Sequence, residues 1–203
     1  MLDLPSLLGP IDIYLLDQVL RGRIVPGQRI FDAGCGGGRN LVYFLRAGFE
    51  VFGVDTEPEA IRAVRALAAE LSPRLPSENF RVDAIERSTF PDAIAEVAIS
   101  SAVLHFSRDE AHFRAILEAS WRHLAPGGLF FCRLASTIGM ESRFTPRGGR
   151  RFRLPEGSEL FLVDQDFLLD VTEELGAELL DPLKTTVVQD RRCMTTWVMR
   201  KGG

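Results

Sequence analysis

The run Phe31-Asp32-Ala33-Gly34-Cys35-Gly36-Gly37-Gly38-Arg39-Asn40 holds the residue types and spacing that bear most directly on chemistry. An apolar strand that ends in closely spaced glycines and feeds a helix brings bare backbone and a helix amino end against a ligand. The dinucleotide spacing G-x-G-x-x-G is not met, because Gly34 and Gly36 are followed by Arg39 where the third glycine belongs. A nicotinamide or flavin enzyme would lose its usual pyrophosphate contact there. Two further acids stand at expected strand ends. Asp55 closes Val54-Asp55-Thr56, where a carboxylate can accept hydrogen bonds from both hydroxyls of a ribose, and Asp83 lies in Arg81-Val82-Asp83-Ala84. The carboxyl ends of neighbouring strands in a doubly wound sheet face one crevice, so three acids and a glycine turn would surround one nucleoside-sized ligand.

Positioning these residues requires βαβ units, and apolar runs alternate with helical patterns through most of the chain. The spacing predicts a helix over 11–20, a buried strand over 29–33, a short helix presenting Leu41, Phe44 and Leu45 that Gly48 stops, and a strand over 50–54. Thr56 and Glu59 have capping-box spacing before a helix with Ile61, Val64, Leu67, Ala68 and Leu71 on one face. Ser107 and Glu110 repeat that spacing before a helix facing Phe113, Ile116, Leu117, Trp121 and Leu124. Further strands are expected over 80–82, 97–101 and 129–134, the last entered through Pro126-Gly127-Gly128. The alternation breaks over 135–163, where Arg143, Arg147, Arg150, Arg151 and Arg153 concentrate and a hairpin of 151–154 with 159–163 is expected. A helix over 164–175 ends at Gly176, and strands over 184–188 and 194–199 are joined too tightly for a crossover, so they should be antiparallel.

With 203 residues there is room for one compact domain and little more. The balance of 28 acidic against 24 basic residues, net −4, argues against a surface built generally to coat nucleic acid or a membrane. Cys35, Cys132 and Cys193 are an odd number without CxxC spacing, and the three histidines form no HExxH pattern, so neither zinc nor a disulfide framework is expected. The longest uncharged run, 97–107, is too short to cross a bilayer, and no cationic segment precedes the first apolar stretch. The chain therefore reads as cytoplasmic and unprocessed.

The segment Asp32-Ala33-Gly34-Cys35-Gly36-Gly37-Gly38 resembles motif I of the class I S-adenosylmethionine-dependent methyltransferases. Asp55, Asp83-Ala84, Ser100-Ser101 and Leu124-Ala125-Pro126-Gly127-Gly128-Leu129 follow in that family's order. The resemblance implies an α/β fold: a Rossmann-like doubly wound sheet of seven strands, mostly parallel with an antiparallel last strand. It implies S-adenosyl-L-methionine as cofactor. The backbone of Gly34, Cys35 and Gly36 would pack on its methionine part, Asp55 with Thr56 beside it on the ribose, and Asp83 with the Ala84 N–H on the adenine. Ser100 would lie beside the methyl donor, and Asp32 would support the glycine turn and the ammonium end. Gly38-Arg39-Asn40 and the small size resemble the tellurite-resistance type of small-molecule methyltransferase, though Arg191-Arg192 is all that stands for that group's basic turn.

The expected function is methyl transfer to a small-molecule acceptor by a single domain over 1–203, with 1–25 as an amino-terminal helix or lid and 135–163 as an insertion over the active site. Two alternatives stand beside it: an RNA methyltransferase using the arginine-rich insertion, and a donor-binding protein without catalysis. His105 is read as a general base or substrate contact, or else as a structural histidine; Arg143 and Arg191 are read as substrate-side residues. Arg39 is a ligand contact or a solvated helix residue, and Tyr14 either folds over the donor or faces the core. His112 and His123 are placed on helix surfaces. No metal or membrane partner is expected.

Overall fold

In the computed structural model, which describes residues 3–203, the chain opens with two short helices, α1 (Leu4–Leu8) and α2 (Ile13–Leu20). Each is started by an aspartate whose carboxylate accepts a backbone N–H of the first turn, Asp3 from Ser6 and Asp12 from Tyr14. Then β1 (Arg29–Ala33), α3 (Val42–Arg46), β2 (Glu50–Asp55), α4 (Pro58–Leu71), β3 (Phe80–Val82), β4 (Ala95–Ser101), α5 (Glu110–His123) and β5 (Leu124–Ala135) follow. The second half carries β6 (Thr145–Gly148), β7 (Arg151–Arg153), β8 (Glu159–Phe161), α6 (Gln165–Glu174), β9 (Glu178–Leu179), β10 (Lys184–Val188) and β11 (Arg192–Arg200).

The main sheet runs β10-β11-β5-β4-β1-β2-β3, with the two-residue β9 pairing alongside β11. Strands β1 to β5 pair in parallel, and β11 runs antiparallel to both of its long neighbours, so the α/β class and the antiparallel last strand hold. Ile30, Phe31, Val97, Ala98 and Ile99 have no exposed surface, because helices cover both faces and leave no side of these strands for water. Phe113 of α5 and Phe167 of α6 join Phe31, Ala98 and Phe130 on one face. Leu15 of α2, Phe44 of α3 and Val64 of α4 join Ile30, Ile99, Phe131 and Val198 on the other. From β1 the chain builds outward through β2 and β3 on one side and β4 and β5 on the other, which opens a crevice at the carboxyl ends of the strands.

The structure corrects both expected capping boxes. Pro58 occupies the first turn of α4 and Glu57 is its cap residue, leaving Thr56 outside the helix; proline's fixed φ starts the helix by itself. At α5 the cap is Asp109, whose carboxylate accepts the His112 N–H at 2.8 Å. Ser107 is buried at the end of a 3₁₀ turn over Leu104–Phe106. His123 is not on the surface: it is buried with its ring 4.7 Å from that of Phe31, because the last turn of α5 lies flat on the sheet. The insertion forms a three-stranded antiparallel sheet, the expected β7–β8 hairpin with β6 added. Met140, Phe144, Leu154 and Leu162 give it a small core anchored on Ala135 and Cys193. No helix is long and apolar enough to cross a membrane among the described residues.

Candidate active site

The turn after β1 is held by its neighbour strand: Gly34 N–H and Cys35 N–H both donate to the Val54 carbonyl, at 2.9 and 3.0 Å. Gly34 has φ +84°, and a Cβ there would sit 2.5 Å from Cγ2 of Val103, so backbone and packing both demand glycine. Gly36 has φ +51° and open space where a side chain would be. Its N–H donates to Asp55 Oδ2 at 2.8 Å, and Glu57 N–H donates to Asp55 Oδ1 at 3.0 Å. Two backbone donors thus fix the Asp55 carboxylate at the end of β2. An ionised carboxylate has about four acceptor positions, so lone pairs remain for a ligand's hydroxyls.

Above this turn lies a cavity of about 680 Å³, and Gly34, Gly36, Asp55, Thr56, Asp83 and Ala84 all line it. Six of the nine residues expected on the cofactor side therefore converge on one space of ligand size. The other three lie behind its wall: Asp32, Cys35 and Ser100 are buried. Val103, Phe106, Arg108 and His112 also line the cavity, none of them anticipated there. Phe106 is 65% exposed, and an apolar ring left open at a cavity mouth is the kind of feature that only the folded chain reveals.

Asp32 is 2% exposed, and no hydrogen bond reaches its carboxylate among the described residues. Burial pushes its pKa up to about 7, the nearby Asp55 charge pushes the same way, and Arg39 opposes both. A buried carboxyl without a partner, one strand from Asp55 and directly before the turn, fits a ligand that brings its own cation.

Residues 31–132 match the methyltransferase-domain family, half of the chain. The chain belongs to the class I S-adenosylmethionine-dependent methyltransferases. It is 29% identical over 107 residues to an uncharacterized methyltransferase of Synechocystis sp., covering 53% of this chain and 47% of that one. It is 30% identical over 152 residues to a ubiquinone biosynthesis O-methyltransferase of Xanthomonas oryzae pv. oryzae, covering 68% and 60%. The chain thus spans about half to three fifths of the length of these curated relatives. Among solved structures it resembles a SAM-dependent methyltransferase of Methanosarcina mazei, with TM-score 0.73, 19% identity and coverage of 91% and 97%. A 1,6-didemethyltoxoflavin-N1-methyltransferase of Burkholderia thailandensis gives TM-score 0.69, 19% identity and coverage of 93% and 76%. At those identities the structures speak for the fold.

His105 is buried, and its Nδ1 accepts the Ala135 N–H at 3.2 Å, which leaves the ring proton on Nε2. Burial lowers its pKa to about 4, so the ring stays neutral and ties the Leu104–Phe106 turn to the end of β5. Burial, with Asp32 and Asp55 nearby, holds the Cys35 thiol well above its usual range, so it does not form a thiolate nucleophile. Arg143 and Arg191 do not line the cavity. Arg143 pairs with Asp190 at 2.6 Å, beside the turn that carries Arg191. In the same cluster Arg147 pairs with Glu159 and Arg150 with Asp164. Arg151 donates to the carbonyls of Ser107 and Glu159 instead, fastening β7 to the turn behind Phe106.

Proposed function

We propose that the carboxyl-edge cavity binds S-adenosylmethionine and that the methyltransferase passes its methyl group to a small-molecule acceptor through an oxygen atom. The convergence of Gly34, Gly36, Asp55, Asp83 and Ala84 on one cavity, with the partnerless Asp32 behind it, carries this reading. Asp55, already oriented by Gly36 and Glu57, would take the ribose hydroxyls, with Thr56 next to it. Asp83 and the Ala84 N–H would take the adenine, and Asp32 the ammonium end, with Arg39 within reach of the same charges. The bound donor supplies a methyl group on a sulfonium, which is already an activated leaving group. What the chain adds is placement and exclusion of water. A neutral His105 with its Nδ1 occupied is a clasp, and no base role is assigned to it.

The small acceptor is favoured over RNA because three of the insertion's five arginines, Arg143, Arg147 and Arg150, are ion-paired, and Arg151 is tied to two backbone carbonyls, which reduces the charge presented to phosphates. Oxygen as acceptor atom is supported by the named activity of the Xanthomonas relative. The test is formation of S-adenosylhomocysteine from the donor across a panel of small phenols, catechols and hydroxy acids. Turnover of at least one is expected. Donor binding without turnover of any would leave a binding protein without this activity.

A further inference from the structure

The sheet face beneath α2 changes character in its last row. Ile99, Phe131 and Val198 stand opposite one another in β4, β5 and β11, and all three are buried. Two residues further along, the same face presents Ser101, Arg133, Thr196 and Lys184, in register across β4, β5, β11 and β10. Residues directly opposite in a sheet point to one side, so these four form a polar row. The row begins next to Ala102, which lines the donor cavity, and ends at the edge strand. Helix α2 lies over it. Asp12 Oδ2 is 2.7 Å from Arg133 Nη1, and the Tyr14 ring centre lies 5.1 Å from Arg133 Cζ and 5.4 Å from Lys184 Nζ.

Tethering the helix does not account for the whole row. Arg133 Nε–H and Thr196 Oγ1 are both buried and have no hydrogen-bond partner, although they occupy directly opposed positions and Thr196 is only 6% exposed. Leaving such groups unsatisfied is costly, and two of them side by side mark a place for a shared oxygen ligand. The charge balance has the same sign: two cations flank Tyr14, and Asp12 is the carboxylate paired there. A second carboxylate would accept from Arg133 Nε–H and Thr196 Oγ1–H and offset the remaining charge.

We propose that the row Ser101–Arg133–Thr196–Lys184 is the acceptor subsite and that it selects acceptors bearing a carboxylate, with Arg133 and Thr196 determining that specificity. The proposal rests on the reading of the adjoining cavity as the donor site. The Ser101 end of the row, next to Ala102, is where it meets the donor cavity.

The test uses the ¹⁵N-labelled chain saturated with S-adenosylhomocysteine and titrated with benzoate or with benzamide, its neutral isostere. Benzoate is expected to move the Arg133 Nε–H resonance saturably and to bind at least about tenfold more tightly, the margin of one charge-assisted hydrogen bond. Replacing Arg133 would strand Asp12 and endanger the fold, so Thr196→Val and Lys184→Met carry the mutational arm. Each should cut the preference at least about threefold and leave S-adenosylhomocysteine affinity unchanged. Equal affinity for the two probes, no binding of benzoate, or a preference intact in both variants overturns the proposal. Failure of the unmodified chain to bind S-adenosylhomocysteine overturns the donor reading instead, and shows as an absence of saturation before either probe is added.

Discussion

A carboxyl group withdrawn almost wholly from water pays heavily to ionise, and Asp32 sits directly before the turn where a ligand's cation could reverse that. Its pKa, raised to about 7, means that the free chain holds a proton there which the unfolded chain has already lost. Its stabilising contribution is therefore complete below the unfolded value near 4 and fades as pH rises through 7. His105 works in the opposite sense. With its pKa lowered to about 4, its contribution is present above the unfolded value near 6.5 and is lost as pH falls through 4. Ligand binding is the readout for Asp32. An ammonium group favours the ionised carboxylate, so affinity for S-adenosylhomocysteine should fall from pH 8 to pH 6, approaching about tenfold per unit below 7. Calorimetric titration across that range checks it, and Asp32→Asn should flatten the profile. A flat profile in the unmodified chain would remove Asp32 from the ammonium role. The acids at the strand ends were legible in the sequence because their positions follow from local pattern. His112 and His123 were not, since burial of His123 and exposure of His112 to the cavity depend on how α5 lies against the sheet.

The elements that frame the cavity were predictable where the hydrophobic period repeats, as in α4 and α5, and less so at their ends. A capping box is a matter of spacing, whereas the cap actually used depends on which residue the preceding turn leaves free. At α5 the 3₁₀ turn carries Ser107 inside and leaves Asp109 to cap. Asp109→Ala should therefore cost about 1 kcal/mol in denaturant unfolding, while Ser107→Ala, which removes a buried hydroxyl without a partner, should cost less than about 0.5 kcal/mol. The reverse order would restore Ser107 as the cap. The third strand of the insertion escaped prediction because Thr145–Gly148 carries a proline and a glycine and is exposed throughout, so no apolar alternation marks it.

Across the whole molecule, the parallel βα units and the antiparallel last pair could be anticipated because each is local in sequence, while the insertion of β11 between β5 and β10 and the pairing of charges could not. The insertion's arginines read as a free cationic cluster until Asp190, Asp164 and Glu159 come together with them. The polar row over β4, β5, β11 and β10 likewise exists only once four strands from distant parts of the chain fall into register. Net charge was a poor guide for the same reason: −4 describes neither the acid-lined end of the donor cavity nor the cation-rich row beside it. Both rest on one claim, that the cavity over the glycine turn is the donor site. Calorimetric titration of the chain with S-adenosylhomocysteine at pH 8, alongside Asp55→Ala, tests it most directly. Saturable one-to-one binding that weakens by about 1–3 kcal/mol in the variant is the predicted result. No heat at high micromolar ligand, or an affinity that Asp55→Ala leaves unchanged, would contradict it.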